Sequence, residues 1–262
     1  MEPPQAAAPQ CNALAAAMAA GALATALALA LWRPAPYGRH AEGASGWGFP
    51  VPARAAWMIQ ELPALAVPAL WLAALSSPQQ RARAAAPGNA LPLALFLAHY
   101  AHRALIYPLR MRPGRATPAG IVLMAFAFCA YNGYMQARYF LAEAPPDAPL
   151  TPRALAGAAV WLAGWAVNLH ADTALINLRR PGETGYKIPR GGAFELVSCA
   201  NYFGEVLEWA GWAVAAWSAP AAAFAAYTAA NLVPRAWQHH CWYRAKFPGY
   251  PRNRRAVIPF LL

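Results

Sequence analysis

Apolar segments of about twenty residues recur along this chain, separated by short stretches rich in proline, glycine and arginine. No other feature restricts the fold as strongly. A helix needs about 20 apolar residues to cross a bilayer core of about 30 Å, and inside that core it must satisfy every backbone N–H and C=O within itself. Seven stretches fit, roughly 11–32, 55–76, 88–109, 118–141, 152–176, 196–217 and 220–243. The breaks between them fall at Pro34, Pro36, Pro87, Pro113, Gly114, Pro145, Pro181, Gly182 and Pro220. Composition agrees: 12% of residues are charged, about half the share of an ordinary soluble domain. The expectation is an all-α, seven-helix membrane bundle forming one domain. Alanine makes each span only moderately hydrophobic, so boundaries are loose by several residues. Segment 11–32 reads as a span rather than a signal peptide, because Glu2 is the only charge before Arg33.

Basic residues set the expected orientation. With seven spans, one side receives Arg33, Arg39, Arg54, Arg110, Arg112, Arg115, Arg179, Arg180, Lys187, Arg190, Arg244, Lys246, Arg252, Arg254 and Arg255. The other receives Arg81, Arg83 and Arg153, a split of 15 against 3, with Arg103, Arg138 and Arg235 inside spans. The positive-inside rule then puts the N-terminus outside and the C-terminus in the cytoplasm. An even number of spans would scramble this asymmetry.

Several function classes drop out. The net charge of +11 belongs to cytoplasmic loops rather than to a nucleic-acid surface. Cys11, Cys129, Cys199 and Cys241 form no C-x-x-C pair, so neither a disulfide framework nor a zinc site is indicated. His239-His240 and His99-x-x-His102 are fragments of a histidine box, but six histidines in all are too few for a di-iron site. No metal is expected. No G-x-G-x-x-G after a strand and no P-loop is present, so any nucleotide has to be held by the bundle itself.

Ionisable groups in a bilayer cost several kcal/mol unless paired or wetted, which makes them the informative residues. Glu61, preceded by Trp57 and Gln60, lies in the second span; Tyr100 lies in the third. A carboxyl buried without a fixed cation keeps its proton and can donate a hydrogen bond, as Tyr100 can. Either the two serve a substrate, or they tie helices together. Asn168 and Asp172 share a face of the fifth span; Asn201, Glu205 and Glu208 form a stripe on the sixth, and Arg235, His239 and Tyr243 another on the seventh. With the basic, glycine-rich loop 178–192 between them, these stripes point to a polyanionic ligand, for which arginine's planar fork is suited. Arg138, His170 and Glu195 carry no evident role.

The stretch from Asn168 to Leu262 resembles the C-terminal half of the steroid 5α-reductase family. The pieces are Asn168-Leu-His-Ala-Asp172, Leu178-Arg-Arg-Pro-Gly-Glu183, Tyr186-Lys-Ile-Pro-Arg-Gly-Gly192, Asn201-Tyr-Phe-Gly-Glu205 with Glu208-Trp209, His239-His240, and Tyr250-Pro-x-x-Arg254 running to Ile258-Pro-Phe260. Gln60-Glu61-Leu62-Pro63 and His99-Tyr100-x-His102-Arg103 resemble its substrate-side motifs. The resemblance implies an NADPH-dependent reductase of the Δ4 double bond of 3-oxo steroids, taken from the bilayer. It divides the chain into a substrate-side half, 1–110, and a cofactor-binding half, 111–262. By position it implies that Asn168, Asp172, Arg179, Tyr186, Asn201, Glu205, Arg235, His239, Tyr243 and Arg254 hold NADPH, with Arg115 joining the phosphate contacts. Lys187 stands where the family more often has arginine. Glu61 and Tyr100 would bind the 3-keto oxygen, beside Gln60 and Trp57. The runner-up is an S-adenosylmethionine-dependent membrane methyltransferase of the isoprenylcysteine type; reductases of another membrane enone or of a polyprenol, and a receptor or transporter, are further alternatives. No obligate protein partner is evident. The alanine- and arginine-rich usage suggests a bacterial source, hence an inner membrane; a eukaryotic source would imply the endoplasmic reticulum.

Overall fold

The computed structural model describes residues 9–31, 46–112, 114–180, 182–183 and 185–262. Arg33, Arg39 and the breaks at Pro34, Pro36, Pro113 and Pro181 lie outside the described residues. The chain runs α1 (Pro9–Leu31), β1 (Pro50–Val51), α2 (Ala53–Ala73), α3 (Pro78–Ala85), α4 (Pro87–Ala101), α5 (Tyr107–Arg110), β2 (Thr117–Pro118), α6 (Ala119–Arg138), α7 (Pro152–Asn177), α8 (Ala200–Ala216) and α9 (Ala219–Lys246). A π-turn, His102–Ile106, joins α4 to α5; another, Tyr139–Glu143, extends α6; a 3-10 turn, Gly192–Glu195, precedes α8. Among the described residues, three helical stretches, Gln10–Leu31, Ala53–Ala73 and Pro152–Asn177, are long and apolar enough to cross a membrane, as an α-helical membrane protein requires. The other expected spans are less uniform, and α6 ends in the polar run Tyr131–Arg138. α4 breaks into a π-turn after 15 residues, α8 has 17 residues, and α9 carries Arg235, Arg244 and Lys246.

Two boundaries differ from the sequence expectation. The sixth helix starts at Ala200 rather than at 196, because Cys199 leaves the helical region at φ −121° and ψ 67°. The expected loop after the second span contains α3. Its start is a capping box: Ser77 Oγ accepts from the Gln80 amide at 3.1 Å, and the Gln80 side chain accepts from Ser77 N at 3.4 Å.

The packing that positions the site is α7 against α8. Gly157 and Gly164 on α7 and Gly204 and Gly211 on α8 are each seven residues apart, and a Cβ on any of them would meet backbone of the facing helix. At Gly164 it would fall 2.3 Å from Glu208 N, and at Gly204 2.5 Å from Asn168 N. Small residues let membrane helices approach this closely, and the approach sets Asn168 and Asp172 against Asn201, Glu205 and Glu208. In an open helix Gly→Ala stabilises by up to about 1 kcal/mol. Here the sign reverses: Gly164→Ala is expected to destabilise by about 1–3 kcal/mol, whereas Gly21→Ala, whose Cβ meets only a Tyr227 ring atom at 3.7 Å, should not. Melting of the two variants in detergent checks this.

α1 leans on α9 and α6: Gln238 donates to Leu29 O at 2.7 Å and Tyr131 OH to Leu14 O at 2.6 Å. The main core is aromatic. Phe96, Trp209, Trp212 and Phe224 pack with ring centroids 4.5–6.2 Å apart, and Trp212 Nε1 donates to Pro92 O at 2.7 Å.

Candidate active site

Glu61 and Tyr100 reach the same face of α6. Cys129 Sγ lies 3.8 Å from Glu61 Oε2, and Asn132 Nδ2 donates to Tyr100 OH at 3.4 Å. Cys129 and Asn132 are three residues apart and so neighbours on one helix face. Gln60 Nε2 reaches Glu61 Oε1 at 3.5 Å. Trp57, one turn before Glu61 on α2, shares its face. Glu61 is half-buried and Tyr100 buried, with Tyr100 against Phe96 and Trp209.

Arg103, which the sequence shows only as the last residue of a substrate-side motif, is a hub. The π-turn puts it at the end of α4, where such turns recur at functional positions. Its two terminal nitrogens donate to Asp172 Oδ2 on α7 at 2.7 Å and to Glu205 Oε2 on α8 at 2.9 Å. Its guanidinium lies 5.1 Å from the Trp57 ring centroid and 4.9 Å from that of Tyr107, within cation–π range. One buried cation thus joins the Glu61-bearing helix to the acidic stripes of α7 and α8. Its signal in the sequence is an arginine inside a span, a group expected to have a partner. Beside it, Trp57 Nε1 is buried and has no hydrogen-bond partner among the described residues, a donor left over in the same wall, while the Asp172 carboxylate is also met by the Asn201 side chain.

His99 and Glu208 form a second buried pair that sequence spacing does not reveal, with Nδ1 and Oε1 2.6 Å apart. Asn168 Nδ2 donates to Asn201 O at 2.9 Å, fixing α7 to the start of α8. From α9, Arg235 lies over the Tyr202 ring at 5.6 Å and His239 faces the same ring at 5.9 Å. The α9 stripe therefore adjoins the α8 stripe.

The remaining expected site residues line the loops. Arg115, Arg179, Tyr186 and Lys187 are exposed, outside the buried cluster. Lys187 pairs with Glu183 at 2.5 Å, Glu183 Oε2 also accepts from the Arg180 amide at 2.6 Å, and these bonds hold the Glu183 carboxyl below its usual range. Arg179 donates to Gly185 O at 3.4 Å. Tyr186 packs on Trp242 of α9 at 4.8 Å, and Tyr243 stacks on Tyr250 at 5.3 Å. Arg254 is buried: it donates to Pro189 O at 2.9 Å and to Glu195 Oε2 at 3.3 Å, so it also fastens the loop before α8. The Gly191 amide, which donates to Glu195 at 2.7 Å, and the Arg254 charge keep Glu195 below the ordinary carboxylate range. Two of the residues without an evident role in the sequence are structural. Arg138 pairs with Glu143 at 2.6 Å, and the His170 ring packs against Gly192, which has φ +55° and no room for a Cβ.

Comparison with known proteins gives this arrangement a family. The profile of the 3-oxo-5-alpha-steroid 4-dehydrogenase family matches residues 115–262. The chain is 51% identical over 229 residues to 3-oxo-5-alpha-steroid 4-dehydrogenase 1 of Bos taurus, covering 87% of this chain and 88% of the relative. It is 51% identical to the Homo sapiens type 1 protein, covering 86% and 85%, and 47% identical to the Rattus norvegicus type 2 protein, covering 90% and 91%. These relatives are mammalian and lend the bacterial source no support. The chain belongs to the 3-oxo-5-alpha-steroid 4-dehydrogenase family of oxidoreductases.

Proposed function

We propose that this protein reduces the Δ4 double bond of 3-oxo-Δ4 steroids to 5α-dihydro steroids with NADPH, acting on substrate drawn from the bilayer. One observation carries the reading: Arg103 binds Asp172 and Glu205 on one side and lies over Trp57, one turn from Glu61, on the other. The residues proposed for substrate and those proposed for cofactor therefore share one buried group.

Residues 1–110 serve the substrate and 111–262 the cofactor. Glu61, protonated, and Tyr100 donate to the 3-keto oxygen and draw electron density from C5; Gln60 and Trp57 stand beside them. Asn168, Asp172, Asn201, Glu205, Arg235, His239 and Tyr243 hold the nucleotide within the bundle, where Arg235 and His239 converge on the Tyr202 ring beside the acidic stripe of α8. Arg115, Arg179, Tyr186 and Lys187 meet its phosphates from the loops, and Arg254, which also fastens the loop before α8, completes the cofactor set. NADPH supplies the hydride when bound. The aromatic enclosure around Tyr100 excludes water and strengthens each hydrogen bond.

The bundle spans the membrane seven times with the N-terminus outside. Contacts between loops of like charge support this sidedness: β1 pairs with β2, Arg54 donates to Met111 O at 2.5 Å, and Arg110 donates to Thr173 Oγ1 at 2.9 Å. These contacts favour the segment before α2, the loop after α5 and the end of α7 lying on one face. The mammalian relatives favour the endoplasmic reticulum.

Thermal unfolding of the detergent-purified protein with NADPH and with S-adenosylmethionine tests the reading. NADPH should raise the melting temperature and S-adenosylmethionine should not; the reverse would identify a methyltransferase.

A further inference from the structure

Reduction of an enone consumes a hydride and a proton, and the reading above leaves the proton unassigned. We propose that the buried His99–Glu208 pair donates it to C4; the inference rests on that reading of the site. His99 Nδ1 and Glu208 Oε1 lie 2.6 Å apart, and both side chains are nearly inaccessible, at 4% and 0% exposure. A ring nitrogen and a carboxyl oxygen approach that closely only with a proton between them. Glu208 Oε2 has no hydrogen-bond partner among the described residues, so no second donor there stabilises a free carboxylate, a state that would cost several kcal/mol if buried unpaired. The same distance fits a neutral imidazole whose Nδ1–H donates to a carboxylate, but that state leaves a buried charge on the unpartnered Oε2; as imidazolium–carboxylate or as imidazole–carboxylic acid the pair holds one proton that it can give away.

The pair also stands where such a proton is needed. His99 is adjacent in sequence to Tyr100, and its ring meets the Tyr100 ring edge-on at 5.1 Å. Trp209 covers both rings, at 4.5 and 5.9 Å. C4 of the steroid is bonded to C3, whose oxygen Tyr100 binds in the proposed reading, so a donor for C4 has to lie beside Tyr100. Four ionisable groups act on His99 through their fields, Glu61 from α2, Arg103 from the π-turn, Asp172 from α7 and Glu205 from α8, and Arg103 and Asp172 act on Glu208 as well. The Arg103 guanidinium, although its terminal nitrogens bond Asp172 and Glu205, is the positive charge among these groups and eases the anion left after donation. In the step, C5 has gained its hydride and the former C4=C5 electron pair lies in the C3–C4 enolate. The enolate forms a C4–H bond with the shared proton, the N–H or O–H bond of the pair breaks, and C3=O is restored. The pair remains as neutral imidazole and carboxylate, and a solvent proton restores it.

Glu208→Gln separates this role from a purely structural tie, because an amide keeps the hydrogen bond to His99 but offers no proton of comparable acidity. With the full-length protein, kcat in Glu208→Gln and in His99→Asn should fall about 10²-fold or more, with KM and the NADPH-induced melting shift little changed. A second readout needs no nucleotide: a saturated 3-keto steroid incubated with the protein in D2O should take up deuterium at C4, by mass spectrometry, in the wild type and about 10²-fold more slowly in Glu208→Gln. Unchanged kcat in both variants, absent exchange in the wild type, or equal exchange in Glu208→Gln overturns the proton assignment. A wild type that neither turns over nor shifts with NADPH overturns the reductase reading beneath it.

Discussion

Glu61→Gln is expected to lower kcat for a 3-oxo-Δ4 steroid by about 10²–10³-fold, the usual effect of removing one donor to a developing oxyanion, while the NADPH-induced melting shift persists. Glutamine keeps the shape of Glu61 and an N–H that can reach the carbonyl. It loses the acidic proton, and only an acidic donor strengthens its bond as the 3-keto oxygen gains enolate charge. The loss should therefore appear in kcat more than in KM. Cys129 Sγ at 3.8 Å and Gln60 at 3.5 Å neighbour this carboxyl, and Arg103, the cation that acts on it, is already bonded to Asp172 and Glu205, which fits a group that enters the reaction protonated. Steady-state kinetics beside thermal shift separates the outcomes, and wild-type turnover in Glu61→Gln would remove Glu61 from the chemistry.

Arg103→Met should be the most damaging single change to stability. Methionine replaces the apolar length of the side chain but leaves Asp172 and Glu205 facing each other inside the bundle. Removing one partner of a buried ion pair costs about 3–5 kcal/mol, because the charge left behind has neither water nor counter-ion. The cation–π contacts to Trp57 and Tyr107 go too. Arg103→Lys keeps the charge, but one ammonium cannot span the two carboxylates as the guanidinium fork does, so it should lie between. Combining Arg103→Met with Asp172→Asn and Glu205→Gln should restore much of the melting temperature, and nucleotide binding should stay weak because Asp172 and Glu205 are themselves proposed ligands. Equal melting of wild type and Arg103→Met would show that the network is not under electrostatic load.

Much of this site is legible in the sequence, for a physical reason. Spacings of three and four on one helix decide which side chains share a face, so the pairs Asn168/Asp172 and Asn201/Glu205 and the Arg235/His239/Tyr243 stripe follow from residue order alone. Contacts between helices have no such rule. The partners of Arg103 lie 69 and 102 residues away, and that of His99 lies 109 residues away; the packing of α4 and its π-turn against the α7–α8 pair brings them together. The glycines that allow this packing stand in the sequence as two heptad-spaced pairs, although heptad spacing alone does not say which helix they face. The same limit explains Arg254. The resemblance gives it to NADPH, while its burial under Pro189 and Glu195 depends on the C-terminal segment pairing with the chain before α8, where Ser198 N donates to Arg255 O at 2.8 Å. The capping box before α3, by contrast, is a local signal, carried by Ser77-Pro-Gln-Gln80.

The most direct test of the central claim is NADPH consumption by the detergent-purified protein with testosterone or progesterone, with the product identified by mass spectrometry and its C5 configuration determined. The account predicts a gain of two hydrogens with 5α stereochemistry. Absence of both turnover and NADPH binding would contradict it.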